Sequence, residues 1–424
     1  MTESLEQLTA SALLGRLKNR EISVESLVRS CLERQAKREP SLHAWSYIDP
    51  EALLHQAREM DRNGPHGPLY GLPIGIKDVL LTKDMPTQYN SPLYENFAPQ
   101  VDASCVSLLR QAGALIFGKT ETAEFASSGR LAPTCNPHDF LHTPGGSSSG
   151  SAAAVADFHV PLAIGTQTGG SMIRPASFCG IYAFKPTWGV VNPEGAKIFS
   201  PSMDTLGWFG RCVDDLILLN DVLDPQTEIM PEVSLSCAHI AICRSPVWSE
   251  AEPSTRLTLE QCAERLQRAG ARVTELVLPE IFNRLPELQK LIMLSEGRAS
   301  FFAQYREDKT KLHPNICAQV ENSAGYTRQQ LREAYDVAAQ CRALFDALAD
   351  QFDAIVTPST PGVAPLGTQG SGSMIFNGLW SLLHTPCVNI PVPRAPGELP
   401  LGLTITAARF TDRHTLAAAK AIAQ

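Results

Sequence analysis

Apolar residues at helical spacing open the chain: Leu5, Leu8, Leu13, Leu14 and Leu17, then Leu27, Val28, Cys31 and Leu32 behind a capping Ser23. At Leu69 the pattern changes. Residues 69–80 form an apolar run broken by glycines, which predicts a buried strand. Val106 to Gln111 reads as a short helix, and 114–117 and 160–165 as buried strands. Residues 144–156 pass from glycine and serine into alanine. Beyond a long connection at 223–236, a strand (239–243), a helix (257–268) and a strand (273–278) alternate. Helices fill most of 281–349, a strand follows at 354–356, and 358–373 is rich in Pro, Gly, Ser and Thr. A last helix covers 414–424. This alternation predicts an α/β fold with a large, mostly parallel mixed sheet covered by helices on both faces.

Composition narrows the function. The 424 residues are 44% apolar and 19% charged, a globular balance with ample material for a core. The net charge is −8 and no basic block occurs, so nucleic acid and anionic membranes are poor partners. No apolar stretch reaches the ~18 residues of a membrane span. The acidic start, Met1-Thr2-Glu3-Ser4, lacks the features of a signal peptide. Eleven scattered cysteines without a CxxC pair read as reduced, mostly buried thiols, which points to the cytoplasm. No histidine spacing suits a metal, so no metal site is expected.

Two familiar patterns fail on context. Residues 113–120 match GxxxxGK[ST], but the four middle residues are Ala-Leu-Ile-Phe, the strand itself, whose amides belong to a sheet ladder. Gly146 to Gly150 matches GxSxG around Ser148, yet a turn precedes it where a strand is required, and nearby His138 and His142 read as surface residues.

A third constellation has three parts: Lys77 within Gly-Leu-Pro-Ile-Gly-Ile-Lys-Asp, the loop 143–156, and residues 165–175 (Gly-Thr-Gln-Thr-Gly-Gly-Ser-Met-Ile-Arg-Pro). Lys77 in an apolar strand reads either as an amine driven toward neutrality by burial or as a snorkelling lysine at a strand end. The serine loop is a linker or the start of a tightly packed small-residue helix. Ser171 follows a strand and two glycines. The amides of Thr168, Gly169 and Gly170 either converge on an anion near the following helix start or form a plain Gly-Gly turn. Together the parts specify a base, a relay serine, a nucleophile and an oxyanion hole.

These segments resemble the amidase signature family, whose members use a Ser–cisSer–Lys triad. The resemblance implies that Ser171 is the acyl-forming nucleophile, that Ser147, after a cis bond from Gly146, is the relay, and that Lys77 is the terminal base. Further similarity runs through Gly118–Thr120, Asn136-Pro137, Phe178–Gly180, Phe184–Thr187, Asp204–Gly207, Asn377, Trp380 and Pro386–Pro391. It implies the amidase-signature fold as one domain over 1–424. Residues 1–62 form its helical N-terminal segment and 63–222 its catalytic core. Residues 237–424 complete the sheet and the substrate pocket.

Gln167 and Arg174 depart from the commonest family pattern and are similar to bacterial malonamidases, as is Lys197–Ser200. In that branch the arginine matching Arg174 pairs with the carboxylate of a small malonamate-like substrate; bracing the loop through backbone carbonyls is the equal alternative. Thr166 and Gln167 join Arg174 as expected substrate contacts. The implied activity is hydrolysis of a small-molecule carboxamide by an amidase, without cofactor or metal, and the resemblance hints at a homodimer. The rival is the glutaminase (A-type) subunit of a tRNA-dependent amidotransferase, which needs partner subunits.

Overall fold

Eleven short strands pair edge to edge in one sheet in this computed structural model, which describes residues 4–224, 226, 229–367 and 370–424. Residues 225, 227 and 228 of the expected connection, 368 and 369 of the expected Pro-Gly-Ser-Thr segment, and the first three residues lie outside the described residues. The strands are β1 (Trp45–Tyr47), β2 (Pro73–Lys77), β3 (Leu115–Thr120), β4 (Leu162–Gln167), β5 (Tyr182–Lys185) and β6 (Thr205–Gly210). The rest are β7 (His239–Ile242), β8 (Arg272–Glu275), β9 (Ala354–Pro358), β10 (Cys387–Pro391) and β11 (Gly402–Thr406). Their spatial order is β1-β3-β2-β4-β6-β5-β10-β11-β9-β7-β8.

The sheet is mixed, but "mostly parallel" needs correction. Among the described residues β2 pairs in parallel with β3 and β4, and β7 with β8 and β9. Every pairing from β4 through β6, β5, β10 and β11 to β9 is antiparallel, as is β1 with β3. The reason is local. β6 follows β5, and β11 follows β10, with no helix between, and each lies between two strands that a helix does join, β6 between β4 and β5 and β11 between β9 and β10.

Helices pack on this sheet in two groups: Ser149–Ala156 and Ile173–Cys179, which touch each other, and Val213–Leu223 and Asp412–Ala423, which also touch. The N-terminal helix Val24–Leu42 is capped by Ser23, whose Oγ accepts the Ser26 N–H at 3.0 Å. Its Arg34 and Arg38 grip Asp157 at 2.7 and 2.9 Å, tying it to the end of the helix Ser149–Ala156. One apolar cluster runs from Leu8 to Ile422. All eleven cysteines are free, and seven are buried. Among the described residues no helix is long and apolar enough to cross a membrane.

Candidate active site

β2 and β4 lie side by side and parallel, so their carboxyl ends share one edge, where α/β sheets present their ligand sites. Ile76 pairs with Ile164, which sets Lys77, one step on, beside the end of β4. The run that made β2 apolar therefore carries the lysine into the interior, where it is fully buried. The helix Ser149–Ala156 is made of small residues because it is pressed onto β2, β3 and β4. A Cβ at Gly150 would meet the Ala44 carbonyl oxygen at 2.2 Å. That close seat brings the preceding loop, with the cis bond Gly146–Ser147, over the lysine.

Lys77 Nζ lies 2.8 Å from Ser147 Oγ, 2.9 Å from Ser148 Oγ and 2.8 Å from Thr166 Oγ1, with the Thr166 carbonyl at 3.4 Å. None of these partners is a carboxylate. Burial therefore drives the amine well below its usual 10.5, with only the field of Asp204 opposing. A neutral amine has two N–H groups and one lone pair. Ser148 spends its own proton on the Thr166 carbonyl at 3.1 Å, so toward Lys77 it accepts. In a neutral amine with its two N–H groups met by Ser148 and Thr166, the lone pair would face the Ser147 hydroxyl.

Ser171 stands in the turn between β4 and the helix Ile173–Cys179. Its hydroxyl has no hydrogen-bond partner among the described residues, and it lines, with Ser147, a cavity of about 670 Å³. No hydrogen bond joins Ser147 to Ser171 in this state; such contacts are often long without substrate and tighten on binding. The N–H groups of residues 168–171 have no acceptor among the described residues, so the unhindered amides expected there are free. Gly170 is required: a Cβ there would meet Asn377 Oδ1 at 2.5 Å.

The expected substrate contacts divide. Arg174 lines the cavity, and Nη1 donates to the Gly372 carbonyl at 2.6 Å and Nη2 to the Gly146 carbonyl at 2.5 Å. The bracing alternative is what the structure contains, while Arg174 Nε is buried without a partner. Burial pulls this guanidinium down to about 10, still charged at neutral pH. Thr166 and Gln167 face elsewhere. Thr166 serves the lysine. Gln167 is fully buried; its Oε1 accepts the N–H groups of Met172 and Ile173 at 2.8 and 3.1 Å, and its Nε2 donates to Ser381 Oγ at 3.0 Å. Its polar atoms are spent on capping the helix that follows Ser171, which leaves none for a substrate.

The two rejected patterns are accounted for. Gly118 to Thr120 lies in β3, and buried Lys119 pairs with Asp78 at 3.0 Å. Ser148 is fully buried, His138 bonds the Cys179 carbonyl, and His142 pairs with Asp139. The sequence reading missed the contacts of Ser148 with Lys77 and of Ser381 with Gln167; serine-rich composition around Ser148 was the only signal near them.

Comparison with known proteins agrees with this geometry. A family model described as Amidase matches residues 26–416. The chain is 34% identical to the A-type subunit of glutamyl-tRNA(Gln) amidotransferase from Acidothermus cellulolyticus, covering 95% of this chain and 91% of that protein. The corresponding protein of Chloroflexus aggregans is 32% identical, with 98% and 95% covered. Among solved structures, one described as an amidase superposes with a TM-score of 0.89 at 28% identity, covering 98% and 99% of the two chains. The A-type amidotransferase subunit from Thermotoga maritima gives 0.84 at 26%, covering 99% and 94%. A match over nearly the whole length, in sequence and in fold, makes this chain a member of the amidase family of C–N hydrolases.

Proposed function

We propose that the protein hydrolyses a carboxamide bearing a carboxylate, through an acyl-Ser171 intermediate. The observation that carries this reading is the buried Lys77 amine, its pKa pushed down by burial, at 2.8 Å from the Ser147 hydroxyl, beside a cavity that Ser171 also lines. Lys77 takes a proton from Ser147, which takes one from Ser171. The Ser171 oxygen attacks the carbonyl, and the amides of Thr168, Gly169 and Gly170 receive the developing oxyanion. The proton returns through Ser147 to the departing nitrogen, and water cleaves the ester by the same route.

The acidic substrate rests on charge. Among the described residues the ionisable side chains lining the cavity are Arg130, Arg174 and His313, with no carboxylate. That balance, with the Arg130 and Arg174 charges in the cavity wall, favours a malonamate-like amide.

A second reading, the glutaminase subunit of a tRNA-dependent amidotransferase, is favoured by the names of the relatives above. Glutamine also carries a carboxylate, but its ammonium finds no anionic partner in the cavity lining. The aligned span of 463 positions exceeds the 424 residues of this chain, so the Acidothermus protein carries insertions absent here. Under that reading partner subunits and a tRNA-bound substrate return to the picture, the −8 charge notwithstanding.

Ammonia release by the isolated chain from malonamate, glutamine and a neutral aliphatic amide separates the readings. Turnover of malonamate well above the other two supports the first. Activity on glutamine alone, or only with partner subunits added, supports the second. Equal turnover of the neutral amide removes the acidic substrate from both.

A further inference from the structure

The segment 199–202 is held between two carboxylates, neither of them among the residues assigned a role above. Asp204 Oδ2 accepts the N–H groups of Phe199 and Ser200 at 2.6 and 3.0 Å, while Oδ1 accepts the Thr168 hydroxyl at 2.5 Å. From the other side Glu296 accepts the Ser200 hydroxyl at 2.5 Å, the Ser202 N–H at 3.1 Å and the Tyr335 hydroxyl. Phe199, stacked on Phe301 at 5.3 Å, is part of the cavity wall, and Thr168 begins the turn that leads to Ser171.

We propose that Asp204 is a positioning residue for the reaction: one oxygen fixes the turn bearing the oxyanion donors, the other fixes the Phe199 wall, so one side chain registers the two against each other. This role rests on the acyl-serine reading above. Asp204 does not reach the cavity that Ser171 lines; it opens onto a separate space of about 10 Å³ shared with Thr166, Thr168 and Lys197, room for about one water.

The same carboxylate acts on the base at longer range. The charged and titratable groups around it are Lys77 from β2, Lys197 from its own loop, Glu296 from the helix Leu285–Ser300, and Tyr335 through Glu296. Burial, with a smaller contribution from Glu296, raises Asp204 to about 6 against its three donors. Once ionised, it favours the charged form of Lys77.

Asp204→Asn is the informative variant. The amide oxygen can face the two N–H groups, and its nitrogen can donate to Thr168 Oγ, which turns to accept. The geometry survives and the charge is lost. We expect kcat within about tenfold of wild type and the acid limb of the pH–rate profile moved to lower pH, because Lys77 loses a field that favours its cation. Asp204→Ala should lower kcat about 100-fold, and Thr168→Val, which cuts one arm only, about tenfold with KM within about twofold. Should Asp204→Ala not fold, the other two variants decide. Ser171→Ala is measured alongside. If it is inactive while the Asp204→Asn profile superimposes on wild type, or Thr168→Val keeps full kcat, the role of Asp204 is refuted. If Ser171→Ala remains active, the acyl-serine reading falls and this role with it.

Discussion

Lys77 Nζ and Ser147 Oγ lie 2.8 Å apart, both buried, with no carboxylate among the hydrogen-bond partners of the amine. An ammonium in that place would sit among hydroxyls that supply no compensating charge. Burial thus favours the neutral form of the amine, the form that can accept a proton.

Loss of Lys77 separates activity from stability. Lys77→Met should reduce turnover at least about 100-fold, the scale of general-base catalysis. It should also raise the melting temperature at pH 7. The folded chain holds this amine well below its usual 10.5, so in wild type folding is penalised wherever the unfolded chain would be protonated. That penalty fades as pH rises toward 10.5. The gap in melting temperature between Lys77→Met and wild type should narrow from pH 7 to pH 10; a gap that widens contradicts a neutral lysine.

The pH–rate profile follows the same sign. Activity should rise with pH through the depressed pKa of Lys77 and level off far below 10.5. A rate that keeps climbing in proportion to hydroxide up to pH 10 would mean that the lysine is charged at neutral pH.

Gln167→Ala should damage kcat more than KM. It strands the N–H groups of Met172 and Ile173 and frees Ser381, which holds the Gly169 carbonyl at 2.7 Å. The stability cost is about 1–3 kcal/mol for the buried donors left unpaired. Denaturant unfolding and steady-state kinetics check this. A variant with unchanged kcat but raised KM would restore Gln167 as a substrate contact.

The two glycines before Ser171 differ in what surrounds them. At Gly169 a Cβ meets Met374 Sδ at 2.3 Å, inside a flexible side chain that can yield. At Gly170 it meets Asn377 Oδ1, and Asn377 is anchored to the Ser359 carbonyl at 2.9 Å. Gly170→Ala should therefore lose more activity than Gly169→Ala. Assays of both variants on one amide check the order, and the reverse order would contradict the packing.

Much of this site was legible because its chemistry falls in three short segments of the sequence. Lys77, the 143–156 loop and the 165–175 segment each admit an ordinary structural reading, and only their combination pointed to a buried reacting centre. The antiparallel middle of the sheet was not legible: β5, β6, β10 and β11 are four to six residues long and stand outside the regular strand–helix alternation. The fates of Gln167 and Thr166 were hidden for a related reason. Which way a strand-end side chain turns depends on partners such as Ser381 and Lys77, which lie far away in sequence. Arg174 was read as clamp or brace, and only the positions of the Gly146 and Gly372 carbonyls show that its Nη groups brace.

The most direct test is to quench the enzyme during turnover of a carboxamide substrate and map the acyl mass by peptide mass spectrometry. An adduct on the peptide containing Ser171, absent from Ser171→Ala, is the predicted result. Sustained turnover with no adduct, or an adduct on Ser147 or Ser148 in its place, would contradict the account.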